Sequence, residues 1–129
     1  MKRRFLCLLF ALLFVFSLFA CRPSLAREVE QTLADIDVSE YTAASIMVPS
    51  YDAPSRYTER FPEEYARIAA LGTEALPYLL DYVEQGEPDY LNGMFFVCCA
   101  YGMLGIDEWL DIDRHAPAAH ARALRAYLA

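Results

Sequence analysis

The stretch Tyr90-Leu-Asn-Gly-Met-Phe-Phe-Val-Cys-Cys-Ala-Tyr-Gly-Met-Leu104 constrains the fold of this 129-residue chain more than any other. Met94, Phe95, Phe96, Val97, Cys98, Cys99 and Tyr101 make it apolar nearly all round. Gly86-Glu87-Pro88 precedes it, Asp89 can start it and Gly105 can end it, so it reads as one helix. A short helix with no polar face is normally the buried central one. Its length argues against a membrane span, which takes about 20 apolar residues. Asn92, Gly93 and Gly102 argue the same way.

Amphipathic segments stand ready to cover it. Leu25, Val29, Leu33 and Ile36 recur at helical spacing from Ser24 to about Asp37, with Ser24 as the cap. That segment is either a first helix or a partly ordered tether. From Val38 to Arg56 the pattern is irregular, and Pro49, Ser50, Asp52, Pro54 and Ser55 supply turn chemistry. Ile46-Met47-Val48 would be a strand without a partner, so the segment reads as a loop crossing a helical face.

Pro62 suits a first helical turn with Glu63 and Glu64 near its positive end, and Phe61, Tyr65, Ile68 and Leu71 share a face. Gly72 closes that helix. Thr73 is expected to cap the next, whose stripe is Leu76, Leu79, Leu80 and Val83, with Pro77 harmless in its first turn. Tyr65, Tyr78, Tyr82 and Tyr101 are expected to complete the core. Asp107 to Asp111 reads as a turn or a helical start. Pro117 opens a last Ala-rich helix with Leu124, Tyr127 and Leu128 inward. The fold class is therefore all-α: a small antiparallel bundle of four to five helices after residue 20.

The N-terminus is of another kind. Lys2, Arg3 and Arg4 precede an apolar run, Phe5 to Phe16, and Ser17 is the one polar residue before Cys21. A basic start, a short apolar core and small residues near a cleavage point mark a secretory signal. The run of about 16 residues falls short of the roughly 20 that a spanning helix needs. Leu18-Phe19-Ala20-Cys21 resembles the lipobox of bacterial lipoproteins. The resemblance implies cleavage before Cys21, a diacylglyceryl group on its thiol, and a protein held at the outer face of a cell membrane. The cytoplasmic membrane is the expected site; if the host has a second membrane, the outer one is an alternative, because Arg22 is not the familiar retention aspartate. Each buried lipid methylene contributes about 0.8 kcal/mol, and two chains hold where one holds marginally. The chain then divides into a signal (1–20), a lipidated helix with irregular linker (21–56) and a helical domain (57–129).

Residues 21–129 keep eight Arg and no Lys against all eighteen Asp and Glu, a formal balance of −10. Such a domain is repelled by nucleic acid and by anionic headgroups. Nucleic acid is excluded as a partner, and the anchor rather than charge must hold the membrane. The 109 residues suffice for one domain. Of the four cysteines, Cys7 leaves with the signal and Cys21 takes the lipid. Cys98 and Cys99 are adjacent, which suits a disulfide poorly. They read as small buried apolar residues, with surface thiols and metal or redox work as alternatives.

Tyr65-Ala-Arg-Ile-Ala-Ala-Leu-Gly72-Thr-Glu-Ala-Leu-Pro77-Tyr-Leu-Leu resembles a HEAT-like helix–turn–helix unit. Met103-Leu-Gly105-Ile-Asp-Glu-Trp-Leu110 echoes its Ala70-Leu-Gly72-Thr-Glu-Ala-Leu76 portion 33 positions on. Small bacterial lipoproteins look similar from about 57 to 113. The resemblance implies HEAT-like hairpins packed antiparallel, a scaffold or binding role, and no catalytic residues. A solenoid needs at least about three repeats, and there is room for one and a half.

Asp107, Glu108, Asp111, Asp113 and His115 form the densest group of potential ligands. Calcium or magnesium accepts such oxygens, but the EF-hand spacing is missing, and zinc wants more nitrogen or sulfur. Asp111, Asp113 and His115 remain weak metal candidates beside a solvated-face reading. His115 and His120 are the only histidines, and neither a nucleophile elbow nor a phosphate loop is present. Tyr41, Tyr51 and Tyr57 lie in or beside the irregular segment. They either form a ligand surface for a cation, amine or glycan, or pack onto the domain. The expected function is a non-enzymatic, cofactor-free module that presents a helical surface to an envelope protein. A small-ligand binder is the alternative, and a minor metal-dependent hydrolase the third. A wide apolar groove favours the first, a pocket of tyrosines and carboxylates the second, and convergence of Asp111, Asp113 and His115 the last.

Overall fold

The computed structural model describes residues 2–20, 24–39, 53–86, 88–113 and 115–128, without the side chains of 14–20. Cys21, Tyr41, Tyr51 and the Ile46-Met47-Val48 run lie outside the described residues. Those residues hold seven α-helices and no strand. The helices are α1 (Lys2–Ala20), α2 (Leu25–Ala34), α3 (Ser55–Arg60), α4 (Pro62–Ala69), α5 (Leu76–Glu84), α6 (Tyr90–Met103) and α7 (Pro117–Leu124). Single 3₁₀ turns precede α5 and follow α7.

α6 is the central helix. Every residue from Asn92 to Tyr101 is buried, and α3, α4, α5 and α7 all pack on it. Asp89 caps its start, its carboxylate accepting from the Asn92 amide at 2.9 Å. Its end closes as a Schellman turn: the Ile106 amide donates to the Tyr101 carbonyl and the Gly105 amide to that of Gly102. Gly105 sits at φ +73°, where a side chain would be strained. Gly102 permits a close approach of α4, since a Cβ there would lie 2.8 Å from the Tyr65 hydroxyl.

Around α6 the expected stripes are buried. Leu76, Leu79, Leu80 and Val83 of α5, Ile68 of α4 and Leu124 of α7 all face the core. Phe61 meets Phe95 edge to face at 5.5 Å, and Tyr82 meets Phe96 at 6.0 Å. α2 is integral to this unit rather than a tether: Val29 and Leu33 are buried, and the helix packs on α4 and α5. Ser24 caps it.

A latch follows α2. The Asn92 side chain accepts from the Val38 amide at 2.8 Å and donates to the Asp37 carboxylate at 3.0 Å. The Ser39 hydroxyl and amide also donate to Asp37. The Ser39 hydroxyl first, then Asn92, hold that carboxyl below its ordinary range.

Four expectations are corrected. α3, Ser55–Arg60, begins at the end of the segment expected to be irregular, and among the described residues it brings the helices after residue 20 to six where four to five were expected. Tertiary contacts fix it: the Ser55 amide donates to the Asp107 carboxylate at 3.2 Å, and Tyr57 sets its ring against Trp109. Thr73 makes no side-chain cap; it opens a 3₁₀ turn after Gly72 (φ +84°), and α5 starts at Leu76. Tyr78 is 40% exposed because its α5 position points away from α6, and Tyr127 is 52% exposed in the turn after α7.

α1 stands apart in character. Phe5, Leu6, Leu8, Leu9, Phe10, Leu12 and Leu13 are all exposed, Phe5 by 71%. No helix among the described residues is long and apolar enough to cross a membrane.

Candidate functional site

The acidic segment after α6 does not close on a point. The Asp113 carboxylate accepts from the backbone amide of His115 at 3.0 Å, which is a local turn. The His115 ring instead meets the Tyr90 hydroxyl through Nδ1 at 2.9 Å. Asp111 is exposed. Among the described residues, no three His, Cys, Asp or Glu side chains gather in a way that could hold a metal ion. Asp107 is occupied in holding the start of α3.

Tyr57, the described member of the tyrosine candidates, is half-buried with its ring perpendicular to Trp109 at 6.4 Å. Cys98 and Cys99 are free and fully buried on α6. Burial pushes both thiols up, so neither is a thiolate at neutral pH and neither has a nucleophile's character.

His120, named above only as one of two histidines, is the most unusual polar residue of the core. It is 0% exposed on α7. Its Nδ1 lies 2.7 Å from the Tyr101 hydroxyl, and the Leu110 amide approaches that hydroxyl at 3.4 Å. Trp109 covers both rings, with centroids 5.4 Å from His120 and 5.6 Å from Tyr101. Nε2 is buried with no hydrogen-bond partner. Burial pushes His120 below its ordinary value, while the Asp113 carbonyl, close to the ring but outside hydrogen-bond geometry, and the Asp113 charge act the other way. If the tyrosine hydroxyl takes the Leu110 amide and donates to Nδ1, the ring proton sits on Nε2. Tyr101 and His120 are sealed from solvent beneath a partly buried Trp109, which suits a structural post rather than an acid–base pair reaching a substrate. The sequence signal was available: in Pro117-Ala-Ala-His120-Ala-Arg-Ala-Leu124, His120 lies one turn before the inward Leu124.

Beside a cleft of about 230 Å³ at the Asp37–Asn92 latch, two further surface clefts are present among the described residues. One, of about 340 Å³, is lined chiefly by Leu76, Pro77, Leu104, Tyr127 and Leu128, with Thr73 and Glu74 at its rim. It is shallow and mostly apolar. The other, of about 180 Å³, lies between α2 and α5 and is lined by Ala26, Glu30, Tyr78, Asp81, Tyr82 and Gln85. Behind it Arg125 forks onto Glu84, with Nε–O and Nη–O distances of 3.1 and 3.0 Å, and also donates to Asp81. The two carboxylates hold the Arg125 guanidinium charged, with its pKa raised.

These features define an all-helical protein with a buried core and, among its described residues, three modest surface clefts. No family model, curated protein or solved structure matches the chain.

Proposed function

We propose that this protein is an extracytoplasmic lipoprotein, held on a cell membrane by acyl chains on Cys21, and that its helical domain binds an envelope protein without catalysing a reaction. One observation carries the reading: α1 exposes its apolar side chains, while the helices after it close a core of their own. A chain of this kind is amphiphilic as a whole, with a greasy N-terminal segment and a self-sufficient folded part. Fully burying a large apolar side chain is worth about 1.5–3 kcal/mol, so a row of exposed Phe and Leu favours transfer out of water. The lipobox-like Leu18-Phe19-Ala20-Cys21 supplies the point of processing. The helix pairs α4–α5 and α6–α7 are taken as HEAT-like hairpins, a surface suited to a protein partner.

Mass spectrometry of membrane-extracted protein tests the anchor. The expected product begins at Cys21 and carries a diacylglyceryl mass, and Cys21→Ser is neither lipidated nor cut there. A bare thiol on the wild-type product overturns the anchor. Crosslinking and pull-down from native membranes, comparing wild type with Cys21→Ser, test the partner: a specific protein is expected with wild type and lost with the variant. A second reading, a small-cation or glycan binder, is favoured by the gathering of Tyr78, Tyr82, Glu30 and Asp81 in one cleft.

A further inference from the structure

The α2–α5 cleft has a specific chemistry. Tyr78, Asp81, Tyr82 and Gln85 lie at i, i+3, i+4 and i+7 of α5 and its end, so they share one face. Ala26 and Glu30, four apart on α2, form the opposite wall. Tyr78 is a large aromatic left 40% exposed beside carboxylates. Glu30 makes no ion pair among the described residues. Asp81 and Glu84 share the single guanidinium of Arg125. With Glu30 on the opposite wall, three carboxylates against the one guanidinium of Arg125 leave the locality negative, and Arg125 holds Asp81.

Size and charge narrow the occupant. An anion is repelled here, as it is by the whole acidic domain. An apolar occupant would strip water from Glu30 and Asp81 without pairing them. A free drug-sized ligand needs roughly 300–1,000 Å³, and this cleft offers about 180 Å³. That suits the tip of one side chain. A guanidinium is planar, weakly hydrated, stacks on a tyrosine face and forks onto a carboxylate, whereas an ammonium is compact and strongly hydrated.

We infer that the cleft between α2 and α5 seats an arginine side chain carried by the protein partner, with its guanidinium on the Tyr78 ring and its N–H groups on Glu30 and Asp81. This rests on the partner-binding reading above. Arg125 becomes a positioning residue that aims Asp81, and Tyr82, packed on Phe96, is the floor.

The test uses the full chain in detergent micelles and two Gly-Ser peptides, one with a single central arginine and one with citrulline, its neutral isostere. NMR shifts of residues 26–30 and 78–85 are followed on titration. The arginine peptide is expected to give saturable shifts, and the citrulline twin to bind at least about fivefold more weakly. Glu30→Gln and Tyr78→Ala, both at exposed positions, are each expected to weaken the arginine peptide about three- to tenfold, while Tyr78→Phe keeps binding. Absence of saturable shifts, or equal binding of the two peptides, overturns the site. The partner arm is pull-down from native membranes with the E30Q/Y78A double variant, its fold checked by circular dichroism. Recovery of the partner that wild type captures is expected to fall about tenfold. Unchanged recovery overturns the arginine assignment and leaves the partner reading standing. Saturable peptide binding with no partner captured by wild type overturns the partner reading and makes the cleft a free-cation site.

Discussion

α1 and α6 are the two nearly pure hydrocarbon helices of this protein, and they have opposite fates. Phe10 of α1 is 67% exposed, while Phe95 of α6 is 0% exposed. Composition does not separate them; punctuation and neighbours do. α6 is entered through the Asp89 cap, left through the Gly105 turn and overlain by Tyr65 at Gly102. It can be addressed by other helices at defined positions. α1 opens on three cationic residues, and its described side chains are exposed. The lesson is that an apolar run becomes a core only when the chain also supplies stripes shaped to meet it.

The sharpest way to break this comparison is to delete the same side chain from each helix. Phe95→Ala removes a buried ring that packs on Phe61 and Phe96 and should cost about 3–5 kcal/mol. Phe10→Ala removes an exposed ring and should change folding stability by no more than about 0.5 kcal/mol. Urea unfolding of both variants in micelles measures the contrast. Similar losses would mean that α1 is part of the folded unit.

A smaller effect probes how α6 is addressed. Asn92→Ala removes the side-chain oxygen that accepts from the Val38 amide and one donor from Asp37. Removing one partner of a buried hydrogen bond costs about 1–3 kcal/mol. The same unfolding measurement should show a loss in that range. Amide exchange at Val38 should rise more than at Leu80, because the latch opens before the core.

α6 was legible in the sequence because an unbroken apolar run bounded by Asp89 and Gly105 admits one interpretation. The stripes of α2, α4 and α5 were legible for the same reason, since 3.6-residue periodicity survives any arrangement of partners. α3 was not. Ser55-Arg-Tyr-Thr-Glu-Arg60 has no apolar stripe, and contacts with Asp107 and Trp109, about fifty residues away in sequence, hold it. The same limit hid the α2–α5 cleft. Tyr78 read as a core residue on periodicity alone, and only the position of α2 shows that it walls a cleft with Glu30. The Asp111, Asp113 and His115 group failed to gather because the chain there turns back on its own amides. Sequence density of ligands is not spatial density.

The smallest effect concerns a buried histidine packed against α6. His120 pairs with Tyr101 through Nδ1 and leaves Nε2 unpaired in the core. Burial lowers its pKa, so the folded state prefers the neutral ring. An unfolded histidine takes up its proton near pH 6.5. Below that pH the unfolded chain binds a proton that the folded one refuses, so stability falls as pH drops. The Asp37 carboxyl, also lowered, acts only near and below its ordinary value of 3.8, where stability is lost as it protonates. The window from pH 7 to pH 5 therefore isolates the histidine. Wild type should lose stability across it. His120→Gln should lower stability at pH 7 and flatten the dependence between pH 7 and pH 5. A variant that kept the wild-type slope would rule out His120 as its origin. The Tyr101–His120–Trp109 post would then play no part in the acid response.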